Sequence, residues 1–92
     1  MKMLKTVSIT VSGKVQGVFY RQSTKEIAKT LGINGEVKNM QNETVLIIAT
    51  GTEQQIEEFI QWCWRGPEKA KVSNVIVEEI TLKLFDKFSI VR

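Results

Sequence analysis

The segment Thr6-Val7-Ser8-Ile9-Thr10-Val11-Ser12 alternates without a break, with Val7, Ile9 and Val11 on one side and hydroxyl residues on the other. Side chains on a strand point to opposite faces in turn, so this is a strand with one apolar and one polar face. Such a strand suits a largely antiparallel sheet that is covered on one side and wet on the other. The remaining residues must then supply partner strands and a single covering layer. With 92 residues, the chain fits one domain, residues 1–92, and is too short for two.

The covering layer is visible as two changes of period. Gly13 to Phe19 breaks the alternation, and from Tyr20 the residues Tyr20, Thr24, Ile27, Ala28 and Leu31 fall on one helical stripe, with Gly32 where a helix stops. Ile33 to Asn39 reads as a strand, Met40 to Glu43 as a hairpin connection and Thr44 to Thr50 as an apolar strand. Thr52 and Gln55 form a T-x-x-Q capping box. Ile56, Phe59, Ile60 and Cys63 follow at core spacing, and Gly66-Pro67 ends that helix. Val72 to Ile80 and the short Phe85 to Val91 complete the order β-α-β-β-α-β plus a fifth strand. This predicts a ferredoxin-like α+β two-layer sandwich, with two helices on one face of a mainly antiparallel sheet.

Two counts narrow the chemistry. There is no histidine and one cysteine, Cys63. The first excludes a Ser-His-Asp or Cys-His nucleophile, a histidine base and a histidine-held metal. The second excludes an intramolecular disulfide, a CxxC redox pair and a thiolate zinc site. Cys63 itself lies on the core stripe and reads as a small buried hydrophobe. The net charge is +3, unevenly spread: residues 1–30 hold six cations against Glu26, whereas residues 31–60 hold five glutamates against Lys38. A basic first third favours an anionic ligand there. Met1 to Val7 holds no apolar run of signal-peptide length, and no run is long enough to span a bilayer, so a cytoplasmic protein without a membrane partner is expected.

The turn Gly13-Lys14-Val15-Gln16-Gly17-Val18-Phe19-Tyr20-Arg21 joins the first strand to the first helix. A glycine-bearing loop entering a helix can aim unpaired N–H groups, at the positive end of the helix dipole, at one anion. Arg21 in the first helical turn opposes that dipole, and a bound anion would reverse the sign. The bland alternative is a solvated Arg21 on a simple turn; spacing alone balances the two. Asn39 shares a strand face with Gly35 and Val37, which brings it toward the same helix end, although Asn also serves as an ordinary turn residue.

These residues resemble a known family. Val15-Gln16-Gly17-Val18-Phe19-Tyr20-Arg21 is similar to the acylphosphatase signature, a G-x-V-Q-G-V-x-[FY]-R loop. Leu31-Gly32-Ile33-x-Gly35-x-Val37-Lys38-Asn39 is similar to the family's second signature, Gly66-Pro67-x-x-Ala70-x-Val72 to a third, and Phe88-Ser89-Ile90 to its closing strand. The resemblance runs over nearly the whole chain, and the family's fold agrees with the one read from periodicity. It implies hydrolysis of the carboxyl–phosphate bond of a small-molecule acyl phosphate, giving a carboxylate and phosphate. By the match, Arg21 and the backbone amides of Gln16, Gly17, Val18, Phe19, Tyr20 and Arg21 would hold the phosphoryl group, and Asn39 would orient the attacking water. No metal or organic cofactor is implied, and a monomer is expected. The reaction makes sense of the missing histidine: the leaving carboxylate is the base of an acid with pKa ~4 and needs no general acid.

Two positions depart from the family pattern. Glu36 stands where the family commonly has Trp, on the face opposite Asn39. Asn42-Glu43 replaces the usual Asp-Gly, so either Glu43 is strained by about 1 kcal/mol or the hairpin is remodelled. Trp62 and Trp64 should be partly buried beside the helix–sheet contact, and Phe19 and Tyr20 should anchor the loop on the core, with contact of Phe19 to the acyl group as the alternative. Two other functions are weighed. A noncatalytic anion-binding regulatory domain would keep the cradle and lose water placement. A nucleic-acid module would need stacking aromatics on the middle strands, and Thr6 to Ser12 and Thr44 to Thr50 have none, so no nucleic-acid partner is expected.

Overall fold

The computed structural model describes residues 3–91. Its elements are β1 (Leu4–Lys14), α1 (Tyr20–Leu31), β2 (Asn34–Asn39), β3 (Val45–Thr52), α2 (Glu53–Arg65), β4 (Lys71–Ile80) and β5 (Phe88–Ile90). The strands form one sheet in the order β4-β1-β3-β2-β5. β1 pairs antiparallel with β3 and β4, β2 antiparallel with β3, and β5 parallel with β2. The two helices pack on this mixed sheet, as expected from the sequence. Val7, Ile9 and Val11 of β1 and Val45, Ile47 and Ala49 of β3 are buried, together with Ile56, Phe59 and Cys63 of α2.

Both helices end where their capping residues dictate. Gly32 takes φ 79°, and the Ile33 N–H closes back onto the Ala28 carbonyl at 2.8 Å. At the start of α2 the capping box is formed in both directions: Gln55 N–H to Thr52 Oγ1 at 3.3 Å and Thr52 N–H to Gln55 Oε1 at 2.8 Å.

Three features differ from the sequence expectation. β1 runs on through Gly13 to Lys14, past a register shift between Ser12 and Gly13 that a bulge accommodates. The last strand is confined to Phe88–Ile90. β4 and β5 lie at opposite edges of the sheet, four strand spacings or about 19 Å apart. Residues 81–87 are used in that crossing, and seven extended residues reach about 24 Å at most. The third difference follows from the second. The polar face of β1 is not wholly wet, because Thr6 is fully buried and Thr50 nearly so. Their hydroxyls, 2.6 Å apart, bond Lys83 as the chain crosses: Lys83 N–H donates to Thr6 Oγ1 at 2.9 Å, and Thr50 Oγ1 donates to Lys83 O at 2.6 Å.

Candidate active site

The loop between β1 and α1 is held by what it buries. Val15, Val18 and Tyr20 enter the core. Tyr20 Oη donates to the Cys63 carbonyl at 2.7 Å and its ring lies 5.4 Å from that of Trp62, tying the start of α1 to the end of α2. Gly66 belongs to this contact: a Cβ there would meet the Tyr20 ring at 3.0 Å. Tyr20 thus anchors the loop as expected, whereas Phe19 does not. Phe19 is 76% exposed, and as the residue preceding α1 it takes φ 63°, a left-handed conformation that is uncommon for an aromatic residue.

This geometry leaves the helix start open. Phe19 offers no side-chain cap, and the first turn carries no acidic residue. Among the described residues, the first loop or helix N–H to find a carbonyl is that of Ser23, which bonds Phe19 O at 3.0 Å. The N–H groups before it, from Gln16 to Gln22, have no backbone acceptor. Gly17, at φ 73°, has nothing within 4 Å of where a Cβ would stand, so the backbone there lies open to a ligand. A row of unpaired donors at the positive end of a helix is an anion cradle.

Arg21 and Asn39 line one cavity of about 310 Å³ with Gly17, Phe19 and Tyr20. Arg21 is half-buried, and among the described residues its guanidinium pairs with no carboxylate. Asn39 is exposed at the end of β2, and its side-chain amide makes no hydrogen bond to the described residues. Of the residues expected at the site, Gln16 and Val18 alone do not line the cavity. Val18 is buried in the core, and Gln16 directs its side chain to the β2–β3 hairpin.

That hairpin resolves the departure at Asn42-Glu43. Glu43 takes φ 68°, so the strained alternative holds. The Met40 N–H donates to Thr44 O at 2.9 Å and the Glu43 N–H to Met40 O at 3.2 Å. Asn42 Oδ1 compensates by accepting from Thr44 N at 3.3 Å and Thr44 Oγ1 at 2.6 Å. Gln16 Nε2 then donates to the carbonyls of Met40 and Thr44, each at 2.9 Å. One side chain therefore clamps the cradle loop to the residue that follows Asn39.

The acylphosphatase family model matches residues 7–90. An acylphosphatase of Coxiella burnetii is 42% identical over 84 residues, which cover 91% of this chain and 88% of that one. One from Thermotoga petrophila is 41% identical over 87 residues, covering 95% and 97%. The crystal structure of acylphosphatase from Bacillus subtilis superposes with a TM-score of 0.93 at 34% identity, covering 98% of this chain and 100% of that one. The chain belongs to the acylphosphatase family. It is a hydrolase of that family built on the ferredoxin-like fold.

Two supports of the site are not visible in the sequence. The Gln16 clamp joins residues 24 and 28 positions apart, and no local pattern signals it. The Tyr20–Gly66 contact was present only as two separate motifs. Cys63 is fully buried, and burial pushes its thiol up to about 12, so it is no nucleophile. Burial likewise raises Tyr20 well above the usual phenol range, with Cys63 adding to the shift. Trp62 is half-buried and Trp64 is 49% exposed. Among the described residues no three acidic or cysteine side chains gather as a metal site would. No helix there is long and apolar enough to cross a membrane.

Proposed function

We propose that this domain hydrolyses acyl phosphates in the cavity between the cradle loop and Asn39. The observation that carries this reading is the run of N–H groups from Gln16 to Gln22 beside Arg21, all without a partner among the described residues. The amides of residues 16–21 and the guanidinium hold the three phosphoryl oxygens and take up the charge that develops on them. Asn39, across the same cavity, orients a water for in-line attack on phosphorus. The P–O bond to the acyl oxygen breaks as the new P–O bond forms, and the carboxylate leaves unprotonated. The water's proton passes to a phosphoryl oxygen of the substrate, so the protein supplies no base, consistent with a chain without histidine. Positioning and electrostatics then account for the catalysis, with no metal required of this site.

The reading extends to a monomeric cytoplasmic domain, where a lone thiol needs no disulfide partner, and to no nucleic-acid partner. Benzoyl phosphate hydrolysis by the purified chain tests it. Turnover that falls on the order of 10²–10³-fold in Arg21→Ala supports the site. Thermal protection by phosphate without any turnover would point instead to a noncatalytic anion-binding domain.

A further inference from the structure

The fold does not account for the side chain of Phe19. The cradle uses its N–H, which has no backbone acceptor, and nothing in that role calls for an aromatic ring. At φ 63° the backbone is left-handed, a conformation that strains a residue with a Cβ and not a glycine. Phe19 is 76% exposed, so its ring gains little from burial. Among the described residues it pairs with no other ring and no cation lies over it. The ring pairs are Tyr20 with Trp62 and Phe59 with Phe88, and the cation above a ring is Lys83 over Phe85. A smaller residue would suit the free protein better. A local rule broken without compensation in the fold points to a ligand.

The cavity shows where that ligand lies. Phe19 lines it together with Arg21 and Asn39. Of its apolar residues, Val15 and Tyr20 are buried and Ile90 is half-buried, so Phe19 alone is exposed. The loop amides, Arg21 and Asn39 all serve the phosphoryl end, as donors to oxygen and as the holder of water. An acyl chain finds no partner among them and runs out toward solvent. The exposed apolar surface beside that path belongs to Phe19. Its exposure excludes the core anchor expected from the sequence and leaves the contact with the acyl group.

We infer that the Phe19 ring packs on the acyl group of the substrate and favours longer apolar acyl chains over short ones. The inference rests on the catalytic reading above. One residue then has two tasks, with its N–H on phosphate and its ring on the acyl chain. The ring touches no reacting atom, so the contact is equally good in the bound substrate and in the transition state. Its effect therefore falls on KM and not on kcat.

The test compares kcat/KM for acetyl phosphate and hexanoyl phosphate. Both release an unbranched aliphatic carboxylate, so their reacting bonds are alike and the ratio reports the added chain. The wild type should favour hexanoyl phosphate about three- to tenfold, through a lower KM. The preference should fall toward one in Phe19→Ala and be largely kept in Phe19→Leu. If Phe19→Ala fails to fold, Phe19→Gly, which takes φ 63° without strain, reports the same ratio. Methylphosphonate and hexylphosphonate give a second reading that needs no turnover, because each offers phosphoryl-like oxygens to the cradle. Their dissociation constants, from calorimetric titration, should show the same preference and the same loss. A wild-type preference near one overturns the assignment. So does a preference that persists in Phe19→Ala or Phe19→Gly, since position 19 would then serve the cradle alone. If the wild type hydrolyses neither acyl phosphate yet prefers hexylphosphonate by way of Phe19, the apolar contact stands and the catalytic reading falls.

Discussion

In the proposed site, Arg21 serves the phosphate at some expense to the helix that carries it. A guanidinium in the first helical turn meets the positive end of the dipole, and no carboxylate among the described residues relieves it. Replacing it with Ala should therefore stabilise the ligand-free protein by about 0.3–1 kcal/mol and abolish most of the thermal protection given by phosphate. A thermal melt with and without phosphate reads both signs in one experiment. The opposite result, destabilisation with protection intact, would mean that Arg21 serves packing. Arg21 and Asn39 stand out in the sequence, a cation at the wrong helix end and an amide on an apolar strand face, but local pattern leaves a bland reading open for each and only the family resemblance gives them roles; the structure brings both to one cavity. Gln16 was legible for its backbone and not for its side chain. Its acceptors are the carbonyls of Met40 and Thr44, and only the folded hairpin brings these within reach.

At the scale of elements, the β2–β3 hairpin sets where Asn39 stands. Glu43 is held at φ 68°, which glycine adopts without strain. Glu43→Gly should raise stability by about 1 kcal/mol, measured by urea unfolding, and leave turnover unchanged. The crossing segment 81–87 is held by a different device. Thr6→Val would keep the shape of the side chain and leave the Lys83 N–H without its acceptor. A loss of about 1–3 kcal/mol is expected, without loss of activity, since that face lies away from the cavity. The alternation of β1 announced the sheet and its covered face, and the Thr52–Gln55 box announced α2. The burial of Thr6 could not be read in the same way. A threonine on a polar face looks solvated until the path from one sheet edge to the other is known.

Over the whole molecule, the buried pair Tyr20 and Cys63 makes stability depend on pH in the alkaline range. Burial raises both groups, Cys63 from 9.0 to about 12. An unfolded chain therefore loses its thiol proton at lower pH than the folded one. Their contribution is fully present below about pH 9 and is lost as pH rises toward 12. Unfolding midpoints should fall over that window, and Cys63→Ala should flatten part of the decline. Around neutrality, with no histidine to titrate, kcat should stay level across the range where histidine changes charge.

On the proposed reading one cavity divides the labour: the loop and Arg21 hold phosphate, and Asn39 holds the water. The most direct test measures kcat with benzoyl phosphate and the inhibition constant for inorganic phosphate on Asn39→Ala and Arg21→Ala side by side. Asn39→Ala should lower kcat on the order of 10²–10³-fold with phosphate inhibition nearly intact, while Arg21→Ala should weaken both. Full kcat in Asn39→Ala, or equal loss of phosphate binding in the two variants, would contradict it.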